Sequence, residues 1–171
     1  MADKVLLIGM VGAGKSAVGA ALSARLGWPY LDNDALLERT AGSSARELVA
    51  TQGEQGLRQA ESRVLTLMLG MPGPMIGSVP GAVVLDAADR VRLAEAPCHV
   101  VWLRASPTVL ARRLGTGAER DWLGANPVAT LRRLAADRHD FYEKVAGQIV
   151  DVDALPVGAV AKRVAEALQR F

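Results

Sequence analysis

The sequence of 171 residues is poor in cysteine and in aromatic side chains. Its one cysteine, Cys98, excludes an internal disulfide and any metal site built from several cysteines. Because Cys98 comes directly before the mostly apolar run at 99–103, we interpret it as a buried small side chain rather than a reactive thiol. Phe, Trp and Tyr make up only 4% of the residues, whereas hydrophobic residues make up 50%. The core is therefore predicted to be aliphatic, as in parallel sheets covered by helices.

Long runs of one residue type are also missing. No apolar stretch reaches the roughly 18 residues that a membrane-spanning helix needs, and the first residues show no signal-peptide pattern. The arginines occur singly or in pairs, and the formal net charge is only +2. We therefore expect a cytoplasmic monomer that binds neither a membrane nor a nucleic acid, and whose mild positive charge suits small anionic ligands. With no internal repeat or linker, residues 1–171 are expected to form a single domain.

The strongest motif lies between Lys4 and Leu26, where an apolar run, a glycine-rich turn and a helical pattern follow one another. Gly9, Gly14, Lys15 and Ser16 have the spacing G-x-x-x-x-G-K-[ST] of a phosphate-binding loop. The apolar run before the motif is typical of a buried parallel strand, and the apolar residues after it recur at helical spacing. The pattern therefore predicts strand, phosphate loop and helix. The alternative is a glycine-rich turn that holds no ligand.

Each residue type in this loop has a chemical reason. Glycine lets backbone N–H groups approach phosphate oxygens, and the following helix directs its positive end at them. We therefore expect the segment Gly12, Ala13 and Gly14 to contact a nucleotide. Lys15 is expected to reach the β- and γ-phosphates, and the Ser16 hydroxyl to bind Mg²⁺.

Asp32-Asn33-Asp34 follows a short predicted strand, at the end where α/β sheets bind their ligands. If the strand continues, the two carboxylates point the same way beside the phosphate loop. Asp32 is then expected to hold Mg²⁺ through water, and Asp34 to contact the phosphate acceptor. The alternative, compatible with the first, is that Asp34 caps a helix over residues 35–40.

The pattern from 44 to 69 is helical, with a break near Gly53. Arg58 and Glu61 are three residues apart on it, and this spacing alone favours a surface ion pair. Three more predicted strands and their helices follow, and five strands alternating with helices indicate a doubly wound parallel α/β sheet. The polar, glycine-containing stretch 115–126 is long enough for a lid.

Four features occur in order at compatible distances. They are the phosphate loop, the Asp-x-Asp pair, Gly-Glu-x-x-x-Arg-x-x-Glu at 53–61 and Arg-x-x-x-Tyr at 138–142. Together they make the chain resemble the shikimate kinase family over nearly its whole length. The resemblance implies the P-loop kinase fold and a step of aromatic amino acid biosynthesis: transfer of the γ-phosphate of ATP, with Mg²⁺, to a hydroxyl of shikimate.

The same resemblance implies roles for individual residues. Asp34 corresponds to the residue that holds the acceptor hydroxyl and helps to orient or deprotonate it. Arg58 and Arg138 correspond to the arginines that bind the substrate carboxylate, so the resemblance favours Arg58 as a ligand residue over a surface ion pair. Arg120 in the lid would supply positive charge to the phosphates. Arg113, or its neighbour Arg112, would lie along the adenine.

The chain departs from the family pattern at two places. Three consecutive glycines are usual after the third strand, beside the substrate, where this chain has Val79-Pro80-Gly81. Pro80 has no N–H to donate and Val79 resists positive φ, so only Gly81 is expected to serve the substrate as in the family. Arg120 is followed by Asp121-Trp122 instead of Pro-Leu. Two alternatives therefore remain: a kinase of another hydroxylated acid or cyclitol, and a catalytically silent ATP-binding module.

Overall fold

The computed structural model describes residues 2–115 and 118–169, and for residues 118–120 it describes the backbone alone. At its centre is a sheet of five strands. They are β1 (Lys4–Ile8), β2 (Tyr30–Leu31), β3 (Met75–Ser78), β4 (His99–Arg104) and β5 (Gln148–Asp151). Every neighbouring pair is parallel, and the order across the sheet is β2-β3-β1-β4-β5. The predicted parallel α/β sheet is thus confirmed.

Helices follow every strand. Within the described residues they are α1 (Lys15–Leu26), α2 (Asn33–Ala41), α3 (Ala45–Gly70), α4 (Ala87–Glu95), α5 (Pro107–Leu114), α6 (Pro127–Val145) and α7 (Val157–Leu168). Short 3₁₀ helices cover Val83–Leu85 and Ala118–Leu123. Helix α1 packs against α7, and α5 against α6. Of the helices in this described part, none is both long and apolar enough to span a membrane.

The central strand β1 determines where a ligand site can form. Val5, Leu6, Leu7 and Ile8 are fully buried, because β1 lies between β3 and β4 in the middle of the sheet. The chain reaches β3 on one side of β1 and then crosses to β4 on the other. In open parallel sheets the crevice at such a reversal, outside the carboxyl ends of the strands, is where ligands bind. The phosphate loop leaves β1 at this crevice.

The start of α2 corrects one prediction. Strand β2 ends at Leu31 and α2 begins at Asn33, so the two carboxylates do not alternate along a continued strand. The N-cap of α2 is Asp32, so the alternative in which Asp34 caps a helix over residues 35–40 is wrong. Capping is done by the first carboxylate because the chain turns into the helix one residue after the strand.

Cys98 and His139 lie in different environments. Cys98 is partly rather than fully buried, and burial raises the pKa of its thiol to about 11, which disfavours the reactive thiolate. His139 is exposed on α6, where its ring contacts Trp102 edge-on with 5.1 Å between ring centroids.

Helix α3 carries Arg58 and Glu61, and its N-terminus has a capping box. Ser44 Oγ accepts from the Glu47 N–H at 3.3 Å, and the Glu47 carboxylate accepts from the Ser44 N–H at 2.7 Å. The predicted break is present at Gly53, with φ 71° and ψ −178°. Because Gly53 interrupts the helix, the first two turns depend on this cap.

We expect Ser44→Ala to lower the free energy of unfolding by about 1 kcal/mol, since the Glu47 N–H loses its acceptor and the Glu47 carboxylate loses the hydroxyl that donates to it. The midpoint of urea unfolding measures this loss. Ser106→Ala is the comparison, because the Ser106 hydroxyl also accepts from the Val109 N–H, whereas the Ser106 N–H donates to Asp153, outside α5. A midpoint for Ser44→Ala equal to that of the parent would contradict the role of the box.

Candidate active site

The loop between β1 and α1 is shaped by its glycines. A Cβ on Gly9 would lie 2.6 Å from the carbonyl oxygen of Leu103, so no larger residue fits there. Gly14, at the N-cap of α1, has φ 96°, in the left-handed region that favours glycine. The loop therefore holds its backbone close to β4 and leads directly into the first turn of α1, as a phosphate-binding loop does.

Lys15 lies inside this loop. Its Nζ donates to the carbonyl oxygens of Gly9 at 2.8 Å and Met10 at 3.1 Å. Burial lowers the pKa of Lys15 to about 8, while the nearby Asp34 carboxylate acts in the opposite direction. The ammonium is therefore poorly solvated, which makes it a strong partner for an anion that enters the loop.

Asp32 accepts hydrogen bonds on both carboxylate oxygens. Oδ1 accepts from the backbone N–H of Asp34 at 2.9 Å and Ala35 at 3.4 Å. Oδ2 accepts from Ser16 Oγ and Tyr30 Oη, each at 2.9 Å. Burial alone would raise the pKa of Asp32, but these bonds outweigh it, so the pKa is lowered. Asp32 is thus held ionised beside Ser16, and hydroxyl and carboxylate oxygens are the donors that Mg²⁺ prefers.

A cleft of about 410 Å³, here called the phosphate cleft, brings many of the predicted residues together. Among its lining residues are Gly12, Gly14, Lys15, Ser16, Asp32, Asp34, Glu61, Gly81 and Arg138. Asp34 is exposed in it, with Asn33 Nδ2 at 3.2 Å from its carboxylate. The crevice predicted from the topology therefore contains the lysine, the hydroxyl and both carboxylates.

A second cleft of about 970 Å³, here called the α3 cleft, adjoins the first, because both are lined by Glu61, Ala82 and Arg138. Arg58 lines the α3 cleft but not the phosphate cleft. Trp122, half-exposed, lines it too. A ligand that reached from the phosphate loop to Arg58 would therefore pass Glu61 and Arg138.

The expected ion pair between Arg58 and Glu61 is wrong. Arg58 Nη2 lies 3.7 Å from Glu54 Oε2, one helical turn before it, and the two side chains are 50% and 80% exposed. An exposed pair of this kind contributes little to stability. The i,i+4 geometry along α3 aligns Arg58 with Glu54, so its guanidinium is only weakly held.

Arg138 is more enclosed. Its Nη1 lies 3.6 Å from the Met10 sulfur, and among the described residues its buried Nε has no hydrogen-bond partner. Gly81 makes room for it, since a Cβ there would lie 3.5 Å from Nη1 and 2.9 Å from the Gly9 oxygen. Tyr142 Oη donates to the Gly81 oxygen at 2.7 Å and ties α6 to this loop. A buried, unpaired guanidinium N–H is costly unless a ligand accepts from it.

Glu61 is the site residue that spacing alone missed. Burial raises its pKa to about 7, although the positive charges of Arg58, Arg138 and Lys15 act against this, and the Asp34 carboxylate adds to it. The available signal was its place three residues after Arg58, on the same face of α3. Its distance from the phosphate loop depends on how α3 crosses the sheet, which spacing does not contain.

The departure at Val79-Pro80 is accommodated without strain. Val79 is fully buried in the core, and its N–H donates to the Leu7 oxygen at 2.9 Å, extending the pairing of β3 with β1. Among the described residues only glycines have positive φ, and Gly81 is not one of them. The expected conflict at Val79 therefore does not arise, and what Gly81 provides is space rather than an unusual backbone conformation.

Two predicted nucleotide contacts, Ala13 and Arg113, are not among the residues that line the phosphate cleft. Ala13 is buried, with its N–H donating to the Met10 oxygen at 3.1 Å. Arg113 lines neither cleft; its guanidinium donates to the Ala13 oxygen at 3.2 Å and the Val152 oxygen at 2.9 Å, so it ties the phosphate loop to the segment after β5. The side chain of Arg120 lies outside the described residues, and so does part of the predicted lid at 115–126.

Comparison with known proteins decides the family. The family model described as "Shikimate kinase" matches residues 11–169. The chain belongs to the shikimate kinase family. Its members are ATP-dependent small-molecule kinases, and the expectation drawn from the four motifs is confirmed.

Individual relatives agree with this. The shikimate kinase of Symbiobacterium thermophilum is 36% identical over 168 residues, which cover 96% of this chain and 95% of that protein. That of Nitrobacter winogradskyi is 40% identical over 139 residues, 81% of this chain but only 64% of that longer protein. Among solved structures, shikimate kinase from Acinetobacter baumannii in complex with shikimate has a TM-score of 0.90 at 26% identity, covering 98% of this chain and 93% of that one.

The raised pKa of Glu61 predicts a pH-dependent stability. The ordinary value is 4.5 and the folded value about 7, so the folded state binds this proton more tightly than the unfolded chain. Stability is therefore lost as pH rises from about 4.5 to about 7. Because glutamine stays neutral, Glu61→Gln should gain stability relative to the parent across this window and then keep a constant advantage. Urea unfolding at a series of pH values measures the difference.

The same substitution at Glu95, exposed at the end of α4, is the control and should follow the parent at every pH. A parallel pH profile of Glu61→Gln and the parent would contradict the assignment.

Proposed function

We propose that this protein transfers the γ-phosphate of ATP to a hydroxyl of shikimate, with Mg²⁺. The observation that carries the proposal is the phosphate cleft, where a phosphate-binding loop faces an exposed carboxylate, Asp34, and a partly buried arginine, Arg138. A nucleotide switch without a transferase activity has no need of the last two. The Acinetobacter baumannii relative, which has shikimate bound, supports this choice of acceptor.

At the phosphate side, Lys15 binds the β- and γ-phosphates and stabilises the charge that develops during transfer. The hydroxyl of Ser16 would hold Mg²⁺ directly and the carboxylate of Asp32 would hold it through water, and the ion would neutralise phosphate charge. Backbone groups of Gly12, Ala13 and Gly14 surround the phosphates. Arg113 serves the nucleotide indirectly, since it fixes the loop from behind through the Ala13 oxygen.

At the acceptor side, Asp34 holds the reacting hydroxyl and orients or deprotonates it. Its electrostatic coupling to Lys15 supports this role, because the acceptor oxygen has to lie between a carboxylate and the phosphate that Lys15 binds. Arg138 and Arg58 bind the carboxylate of shikimate, and the unpaired buried Nε of Arg138 is a donor ready for it. Gly81 leaves room for the acceptor beside Arg138.

The remaining parts of the proposal rest on the family resemblance. Arg120 reaches the phosphates from a lid at 115–126, and one domain comprises residues 1–171. The protein acts as a monomer in the cytoplasm, in the biosynthesis of aromatic amino acids.

A coupled assay of ADP release with Mg²⁺ and ATP tests the proposal, and Arg58→Ala tests whether this arginine binds the carboxylate of shikimate. Shikimate should stimulate ADP release by the parent. Because a hydrogen bond to a charged group is worth roughly 1.5–3 kcal/mol, Arg58→Ala should lose about 10- to 100-fold in kcat/KM for shikimate. ATP affinity should hardly change, since Arg58 lies outside the phosphate cleft.

Arg133 is exposed on α6, so Arg133→Ala is the matched control. Its kcat/KM for shikimate should equal that of the parent. Folded protein that releases no ADP with shikimate would contradict the proposed acceptor. Equal losses of ATP and shikimate binding in Arg58→Ala would contradict the proposed contact of Arg58 with the carboxylate of shikimate.

A second candidate acceptor, another hydroxylated acid or a cyclitol, is favoured by Pro80 and Trp122. Both line the clefts, and Pro80 has no N–H where the family usually has glycine. An unsatisfied polar group on the ligand costs about 1–3 kcal/mol, so the parent would use shikimate less well than a chain with glycine at this position.

Pro80→Gly should therefore raise kcat/KM for shikimate about tenfold and leave ATP affinity unchanged. Val79 is kept in this variant, because its side chain is part of the core. The comparison is made on protein shown to be folded, with the assay repeated on a panel of hydroxylated acids and cyclitols. Equal use of shikimate by both proteins would make the departure neutral. ADP release with another acceptor but not with shikimate would identify the second candidate. If no acceptor stimulated ADP release, the protein would be a catalytically silent ATP-binding module.

A further inference from the structure

Tyr30 makes two contacts that the reaction as proposed does not use. Its hydroxyl oxygen lies 2.9 Å from Asp32 Oδ2 and 3.0 Å from Ser78 Oγ. Ser78 is buried at the end of β3, and its Oγ also accepts from the Asn33 N–H at 3.0 Å. Tyr30, the first residue of β2, thus connects this strand with the end of β3 and with the capping residue of α2.

The number of available protons determines which group donates in each of these hydrogen bonds. Asp32 accepts from Ser16 Oγ and from two backbone N–H groups, so its carboxylate acts as an acceptor in this network. The single phenolic proton of Tyr30 is therefore donated to Asp32. The contact with Ser78 then has the serine hydroxyl as donor and the tyrosine oxygen as acceptor. The result is one chain of hydrogen bonds from Ser78 through Tyr30 to Asp32.

The tyrosine ring is held by α1. A methyl group at Gly19 would overlap the ring, so glycine at this helical position leaves the space that the ring fills. Ser16, the other hydroxyl on Asp32 Oδ2, lies one turn earlier on the same helix. Helix α1 therefore determines where both hydroxyls meet the carboxylate, and a fixed ring holds its oxygen in place better than a flexible side chain does.

We propose that Tyr30 is a positioning residue for the divalent metal: its hydroxyl fixes the orientation of Asp32 and links it through Ser78 to the loop at 79–81. Two hydroxyls on Oδ2 and two backbone N–H groups on Oδ1 together hold the carboxylate in one orientation. Partners that orient a metal-binding carboxylate change metal affinity when they are removed. The inference rests on the proposed function in taking Asp32 as the residue that holds the metal.

Tyr30→Phe tests this, because it keeps the ring in its space beside Gly19 and removes only the hydroxyl. The probe is Mn²⁺ in the presence of saturating ADP, with its dissociation constant measured by electron paramagnetic resonance. We expect Mn²⁺ to bind about tenfold more weakly to the variant. ADP binding in the presence of a chelator should equal that of the parent, since the phosphate loop is unchanged.

Tyr142→Phe is the matched control. It also removes one hydroxyl, which donates to the Gly81 oxygen at 2.7 Å, but that hydroxyl makes no contact with Asp32. Its Mn²⁺ affinity should equal that of the parent. An unchanged Mn²⁺ affinity in Tyr30→Phe, or an equal loss of chelated ADP binding, would overturn the proposal, because a purely structural tyrosine produces one of these results.

Ser78→Ala separates the chain of bonds from the single contact. If Ser78 acts through Tyr30, Ser78→Ala weakens Mn²⁺ binding in the same direction, and the double variant loses less than the two single losses combined. Additive losses would overturn the link to Ser78. These measurements use no acceptor, so a failure to phosphorylate shikimate would count against the proposed function while leaving the role of Tyr30 intact.

Discussion

The parallel pairing of β1 with β3 on one side and β4 on the other is the constraint on which the site depends. It buries residues 5–8 completely and leaves the chain to turn away at Gly9, where only glycine fits against the Leu103 oxygen. The crevice opened by this reversal receives the loop from β1, the carboxylate after β2 and the turn after β3. Residues far apart in sequence share one cleft because all three segments leave the same edge of the sheet.

Charges in that cleft are closely opposed, and each modifies its neighbours. Lys15 and Arg138 face Asp32, Asp34 and Glu61 around a partly enclosed volume. Burial lowers the pKa of Lys15 and raises that of Glu61, so both charges are held at a cost in the free protein. A phosphate group beside Lys15 would favour its ammonium form again. The attraction between a bound anion and the ammonium would therefore offset the desolvation cost of Lys15.

Asp32 joins the fold to the chemistry. Its carboxylate caps α2 through one oxygen and meets Ser16 and Tyr30 through the other. Capping sets the direction of α2, and with it the position of Asp34 in the first turn. The same side chain thus stabilises a helix and belongs to the proposed Mg²⁺ site. Such double use is possible because a carboxylate offers about four acceptor positions on its two oxygens.

The phosphate loop, the five-stranded parallel sheet and the family followed from the sequence alone, because local glycine spacing, apolar runs and motif order are properties of neighbouring residues. Local geometry was already harder to predict than these features. The N-cap of α2 is Asp32 rather than Asp34, and Arg58 pairs with Glu54 instead of Glu61. Tertiary structure alone decided that Glu61 faces the phosphate loop, that Val79 is part of the core, and that Tyr30 reaches both Asp32 and Ser78. The physical reason is that these contacts join strands and helices whose separation is set by packing, which no spacing along the chain records.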